Sequence, residues 1–468
     1  MVLAAHPRVA AQGRIGPQGR LIRGRGCRRN QGGAPLSAMT GAIRPHRYAD
    51  MPRIADLGLA LTRFFTPASA ATRRDERAQA LLLALLDRSV RDVRLGLEID
   101  GRRFTIGAGS GEPLATLRLR DAGVCTRVLA AGNLGLGEAY MDGAVQMVHG
   151  ELHEFLAALL RGRIEQALAA DPRLAARAAW LRLQTRSRSK ADNVRRHYDV
   201  GDELFECFLD SAMTYSCGYM REPGDSLEQL QINKFERICH KLELRPGDRL
   251  LDIGCGFGGL LIHAARHHGV RGVGITNSRR HCARGQENVA RAGLAAAVEI
   301  REGDYSRLSE RFDRVVSVGM MEHVPRREFG RYFAAIARVL APGGRGLVHT
   351  IGCNGPRNLH DPFIQKYIFP GSCQPRLSEI SAGLEREKLA VVDVENIVRH
   401  YGHTILRWLE RFRERRHTLD PRRHDERVCR MFEYYFHCGI AASFASDSAV
   451  YQVIFTRDPA AALRLHRV

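Results

Sequence analysis

The chain has 468 residues, a hydrophobic content of 44% and a formal net charge of +20. This length accommodates two or three domains with cores of their own. The longest notable apolar run, residues 80–86, is far too short to cross a bilayer, which excludes it as a membrane span.

The cationic character is almost entirely arginine, since only five Lys occur. Residues 1–49 hold nine Arg and no acid. A basic body suits an anionic partner, either lipid head groups or nucleic acid; a biased composition on a solvated surface accounts for the same charge. Eleven Cys are scattered without a CxxC motif or metal-like spacing to His. With no secretory signal, they read as reduced thiols in a cytosol, and no metal site is expected.

In chain order, residues 1–50 are rich in Arg, Gly and Pro and lack apolar periodicity, so they read as a disordered basic segment or a miscalled start, with Met39 and Met51 as later starts. Residues 51–170 predict a small N-terminal α+β domain. It opens on helices (IADLGLALTRFF, DERAQALLLALLDRSV), continues through strand-like pieces (RLGLEIDG, RRFTIGAG, ATLRLRD), and ends on the helix ELHEFLAALLRGRIEQAL. Residues 171–192 turn basic and polar, as an exposed linker would. From residue 193 to 468, strand candidates alternate with helices: RLLDIG, VRGVGIT, VEIREGD, RVVSVGM, GRGLVHT, AVVDVENI and VYQVIFT. That alternation predicts an α/β fold with a doubly wound, mostly parallel sheet. Aromatic and basic helices over about 360–440 interrupt it and predict a helical lid over the sheet's carboxyl edge.

The most informative stretch is Leu250-Leu251-Asp252-Ile253-Gly254-Cys255-Gly256-Phe257-Gly258-Gly259. It reads as a buried strand, a glycine turn and a helix, with a ligand crevice at the strand's carboxyl end. No phosphate-binding lysine follows. The acid precedes the glycines, as Asp252, which resembles the S-adenosylmethionine (SAM) loop of class I methyltransferases more than a dinucleotide loop. After the second strand, Thr276 offers a hydroxyl where an acid is commoner. After the third, Asp304 offers an acceptor and Tyr305 a ring for an adenine. After the fourth, Glu322 and His323 point into the crevice.

Further segments carry a specific resemblance. They are Asn193-Val194-Arg195-Arg196-His197-Tyr198-Asp199, Met213-Thr214-Tyr215-Ser216-Cys217-Gly218-Tyr219, His349-Thr350-Ile351-Gly352 and Lys366-Tyr367-Ile368-Phe369-Pro370-Gly371. With Cys255, Glu322, Trp408, Tyr434-Tyr435 and Cys438, in order over about 193–456, the chain resembles the cyclopropane-fatty-acyl-phospholipid synthase family. Gly135-Leu136-Gly137-Glu138-Ala139-Tyr140-Met141-Asp142-Gly143 is similar to the lipid-binding N-terminal domain of its longer bacterial members.

The resemblance implies a Rossmann-like class I methyltransferase sheet acting on unsaturated phospholipid. A cis alkene attacks the sulfonium methyl of SAM, and the resulting carbocation loses a proton as a cyclopropane ring closes. It implies a bound bicarbonate as the base, with ligands at Cys217, Glu322, His349, Ile351 (backbone amide) and Tyr401. Tyr215 and Ser216 match the methionine end of SAM, Gly254 and Gly256 its loop, Thr276 the ribose, and Asp304 and Tyr305 the adenine. His281 stands where a glutamine is usual, and Phe257 where Trp is common. Cys438 matches a cysteine flagged in the family, although beside Tyr434, Tyr435 and Phe436 it reads as helix packing. Tyr198 and Tyr367 are candidates for the substrate tunnel and, with Tyr215, for cation–π stabilisation of the carbocation.

Docking on an anionic membrane surface is expected through Arg182, Arg186, Arg188, Lys190, Arg195 and Arg196, and through Arg411, Arg413, Arg415, Arg416, Arg422 and Arg423. The resemblance also implies a homodimer and a cytoplasmic enzyme, peripherally bound to the inner face of the membrane. The competing readings are a fatty-acid C-methyltransferase making methyl branches, a nucleic-acid-binding protein, and a lipid carrier without catalysis. No RNA-binding motif supports the second of these, and no nucleic-acid partner is expected.

Overall fold

The computed structural model describes residues 70–164, 201–355 and 361–458, with isolated positions besides. These residues belong to one compact unit. The basic segment 1–50, the helix expected over 54–65, the linker 171–192 and the motif at 193–199 lie outside the described residues.

The first part begins with α1 (Ala70–Ser89), whose leucines recur on one buried face. Strands β1 (Leu95–Ile99) and β2 (Arg102–Ile106) follow as a hairpin. Its two-residue Asp100-Gly101 turn has positive φ at both positions, 50° and 75°, the geometry that matches strand twist. Next come β3 (Ala115–Leu119), α2 (Gly123–Ala131), α3 (Asn133–Met141), β4 (Val145–His149) and α4 (Leu152–Arg161). The sheet order is β2-β1-β3-β4. β4 was not among the predicted strands, because only Val145 in it is buried and no apolar alternation marks it.

The second part runs α5 (Gly201–Phe208), α6 (Leu227–Leu242), β5 (Arg249–Ile253), α7 (Gly259–His268), β6 (Arg271–Thr276), α8 (Arg279–Arg291) and β7 (Val298–Glu302). It continues with β8 (Phe312–Val318), α9 (Phe329–Val339), β9 (Leu340–Cys353), α10 (Pro362–Tyr367), α11 (Leu377–Arg386), β10 (Ala390–Asn396), α12 (Val398–Arg415), α13 (Glu426–Ala445) and β11 (Ser448–Thr456). All seven predicted strands join one sheet, ordered β10-β11-β9-β8-β5-β6-β7. β11 runs antiparallel to both its neighbours, and the other pairs are parallel. Successive strands leave β5 in opposite directions, toward β6 and toward β8. That reversal opens a crevice at their carboxyl ends.

Local chemistry sets the helix starts. Ser226, Ser278, Asp361 and Asp425 each accept a backbone N–H of the helix they precede, satisfying donors that would otherwise be orphaned. The stretch expected as one lid over about 360–440 is divided. α11 and β10 return to the sheet, so α10 and the pair α12–α13 are separate excursions from it.

α13 packs against α12, α3 and α4. One apolar cluster joins Leu95 and Phe155 of the first part to Phe208, Trp408 and Phe436 of the second. Gly137 of α3 is the tight point. A Cβ there would lie 2.4 Å from Phe363 Cδ2 and 2.6 Å from Tyr434 Cε1. Gly137→Ala is expected to cost about 1–3 kcal/mol through overpacking, read as a lower urea midpoint with unchanged m-value.

Candidate functional site

A cavity of about 730 Å³ occupies the crevice where β5 and β8 diverge. Its floor is the turn after β5. Gly254, Gly256 and Gly258 have φ of 83°, 54° and 82°, a region that disfavours side chains. A Cβ on Gly254 would also meet Met320 at 2.9 Å. Glycine there lets the loop turn beneath the cavity and expose its backbone to a ligand.

One side of the cavity is lined by Thr276, His281, Asp304 and Tyr305. Thr276 is buried and its hydroxyl accepts the Ser278 N–H. The His281 ring lies 4.7 Å from that of Phe257. The Asp304 carboxylate accepts the Ser306 N–H at 2.8 Å, which holds its pKa below the usual range.

The other side holds Ser216, Cys217, Glu322, His349, Ile351 and Tyr401. Glu322 is buried. The Thr350 hydroxyl donates to its Oε2 at 2.6 Å, and the Ile351 N–H reaches toward its Oε1 at 3.4 Å. Burial pushes its pKa up. His349 is buried beside it on β9, and burial, with the Lys234 charge second, pushes its pKa down to about 3, so the ring is neutral. The Gln452 amide meets its Nδ1 at 3.3 Å. The Cys217 thiol is raised by burial and lies 3.1 Å from the Gly218 carbonyl. The Tyr215 hydroxyl donates to the Tyr435 hydroxyl at 3.1 Å, and Tyr401 is coupled to the same group. Phe205, Trp408 and Phe369 ring Tyr215 at centroid distances of 5.3–5.9 Å.

A family model described as Mycolic acid cyclopropane synthetase matches residues 185–453. The chain is 38% identical over 360 residues to the cyclopropane-fatty-acyl-phospholipid synthase of Escherichia coli (strain K12), covering 76% of this chain and 92% of that protein. The chain belongs to the mycolic acid cyclopropane synthetase family. It is also 33% identical over 377 residues to a probable fatty acid methyltransferase of Pseudomonas putida, covering 78% of this chain and 92% of that one. Among solved structures, the cyclopropane synthase MmaA2 from Mycobacterium tuberculosis aligns with a TM-score of 0.53 at 27% identity, over 56% of this chain and 96% of that one. The mycolic acid cyclopropane synthase CmaA1, solved with SAH and CTAB, aligns with a TM-score of 0.51 at 28% identity, over 56% and 97%. The protein is therefore a SAM-dependent methyltransferase with a Rossmann-like sheet, and its chemistry is one-carbon transfer to a lipid.

Of the described residues expected for SAM, the substrate and the chemistry, all but two line this cavity. Tyr198 lies outside the described residues. Tyr367 does not line the cavity; its hydroxyl donates to Glu138 of α3 at 2.9 Å, and Lys366 joins the same carboxylate. Phe369, two residues on, lines the cavity instead. Cys438 also lies away from the cavity. The Asn133 amide reaches its sulfur at 3.5 Å, and Asn133 also accepts from the Tyr434 hydroxyl. This is a packing contact between α13 and α3.

Four arginines of the second cluster expected to meet a membrane are ion-paired within the chain. Arg411 donates to Glu228, Arg413 to Glu151 and Glu433, Arg416 to Glu426 and Glu433, and Arg423 to Glu203. Their charge is engaged by internal carboxylates. The linker cluster lies outside the described residues. No helix among the described residues is long and apolar enough to cross a membrane.

Lys234 escaped the sequence reading. It is fully buried, lines the cavity, and donates from Nζ to the Ser216 hydroxyl at 2.8 Å. Burial pushes its pKa down to about 8. A signal was present: Lys234 shares the buried face of α6 with Leu227, Leu230, Gln231 and Ile238, a helical phase that should be apolar. Asp252, at the end of β5, is buried in turn, and burial pushes its pKa up to about 7, opposed by Lys234. Between about pH 4 and 7 the folded chain thus holds a proton on Asp252 that the unfolded chain loses, so stability falls as pH rises through that window. Asp252→Asn is expected to flatten this fall, which is on the order of a few kcal/mol, in urea unfolding curves taken at pH 4.5 and 7.5.

Proposed function

We propose that the enzyme adds a methylene across the cis double bond of an unsaturated phospholipid acyl chain, closing a cyclopropane ring. The observation that carries this reading is one cavity that joins a glycine loop to a buried Glu322–His349 pair and is lined by Tyr215, Phe257, Phe369 and Tyr401. SAM, when bound, supplies the electrophilic methyl. Gly254 and Gly256 let the loop approach it, Ser216 and Tyr215 meet its methionine end, Thr276 and His281 its ribose side, and Asp304 and Tyr305 its adenine.

An alkene needs no activation by a protein nucleophile. It needs alignment and the exclusion of water. The Cys217 thiol, buried and kept protonated, is not a nucleophile here; it fills space. Tyr215 and Tyr401 present electron-rich faces to a developing carbocation, each contributing about 0.5–2 kcal/mol.

The residues around Glu322 fit a small oxyanion such as bicarbonate, which when bound would supply the base for the leaving proton. The Ile351 N–H has only a long contact to Glu322, so it is a donor available to a ligand. With the Gln452 amide on Nδ1, His349 keeps Nε2 for the cavity, and its neutral ring donates or accepts without burying a charge. The Tyr401 hydroxyl is a further donor. Glu322 is the acceptor that orients the ion's O–H, and Thr350 fixes the carboxyl in place.

The lipid reaches the cavity from a membrane surface, with the enzyme docked peripherally on the inner face. Incubation with SAM and unsaturated phospholipid vesicles is expected to yield acyl chains with upfield ring protons in NMR. Glu322→Gln is expected to lower that yield about 10²–10⁴-fold while calorimetric SAM binding persists. A parent protein yielding methyl-branched chains would place it with the fatty acid methyltransferases, and unchanged yield in the variant would remove Glu322 from the chemistry.

A further inference from the structure

Away from the cavity, the seam between α6 and α7 brings metal-binding groups together. Glu236, Cys239 and His240 stand at i, i+3 and i+4 on α6, and His263 and His268 lie on α7. Nε2 of His263 is 2.9 Å and Nε2 of His268 is 3.2 Å from the same oxygen, Glu236 Oε2. The other Glu236 oxygen is 2.8 Å from His240 Nε2. Ligand atoms of Cys239, His263 and His268 all lie within 4.8 Å of one another. Cys239 is buried, and the two imidazoles are largely so, at 12% and 16% exposure.

We propose that Cys239, His263 and His268, with the Glu236 carboxylate beside the two imidazoles, form a structural site for a zinc-class divalent ion that clamps α6 to α7. A thiolate with two imidazoles selects zinc and its neighbours over magnesium or calcium. Tetrahedral zinc, with bonds of about 2.0–2.3 Å, places its ligand atoms about 3.3–3.8 Å apart. The donor atoms of Cys239, His263 and His268, all within 4.8 Å of one another, stand close to that spacing. On binding, the Cys239 thiol releases its proton to solvent, and the Nε2 contacts to Glu236 give way to bonds from nitrogen and oxygen to the metal. Thiolate and carboxylate together neutralise the dication.

The neighbouring cationic group does not compete. Arg237 points to Glu395 through a bidentate pair. This separates the site from the other convergence of such groups, Glu151, His153 and His437, where Arg413 already lies 3.2 Å from His437 Nε2 and bonds Glu151. A guanidinium there occupies the place of a cation.

The clamp has a structural consequence for the cofactor side. α7 starts at Gly259, directly after the glycine loop, and α6 carries Lys234 two residues before Glu236. An ion at this seam braces both helices without touching the cavity.

The test uses the full-length chain without a polyhistidine tag, stripped with a chelator and titrated with Zn²⁺ alone. About one ion per chain and a Tm raised by several degrees are expected. Co²⁺ in place of Zn²⁺ is expected to show a thiolate-to-cobalt charge-transfer band that disappears in Cys239→Ser. His268→Gln, at a partly exposed position, is expected to weaken zinc binding at least about tenfold, with SAM binding retained as the measure of an intact fold. A parent protein whose Tm ignores Zn²⁺ and that shows no charge-transfer band would overturn the site, as would zinc affinity in both variants unchanged from the parent's.

Discussion

Desolvation at the carboxyl ends of β5, β8 and β9 governs this molecule. Asp252, Glu322, His349 and Lys234 are all withdrawn from water around one cavity. Burial is the largest influence on each and pushes it toward its neutral form: the acids up, the histidine and lysine down. A folded chain accepts that cost only where something else needs a dry, polar-tipped space. The carbocation of the proposed reaction, which water would capture, is such a need. In the proposed reaction, the same burial that weakens the fold as pH rises would keep solvent from the reacting carbon.

The aromatic wall of the cavity is also the seam between the two parts of the chain. Trp408 is fully buried, and its ring meets Tyr215 at a tilt and Tyr401 and Phe208 edge-on. Phe208 in turn meets Phe436 at 5.0 Å. Those rings continue into the apolar cluster shared with the four-stranded part. α13 therefore serves two ends at once, presenting Tyr435 to the hydroxyl group beside the cavity and Tyr434 to Asn133 of α3.

The strands and the cofactor loop were legible because their signals are local. Buried parallel strands read as apolar runs, and a glycine turn with a preceding acid reads as such in any tertiary setting. Individual site residues were less legible. Within Lys366–Phe369, a tyrosine is the more conspicuous chemical group, yet α10 ends so that Tyr367 turns to Glu138 and Phe369 to the cavity. Lys234 was overlooked because a lysine on an amphipathic helix is usually solvated, and only its phase betrayed it. The arginines of α12 looked like free charge, since their carboxylate partners come from up to 262 residues away.

From its letters alone, this chain specified a SAM-type loop, the alternation that builds a seven-stranded sheet, and the family to which both belong. These depend on backbone conformation and burial period, which neighbouring residues largely dictate. Folding in three dimensions assigned the rest: which tyrosine faces the cavity, which arginines are already paired, that Cys438 packs against Asn133, and that Cys239 meets His263 and His268. Each of those outcomes rests on contacts between segments distant in sequence, where distance and burial, rather than residue type, select the chemistry.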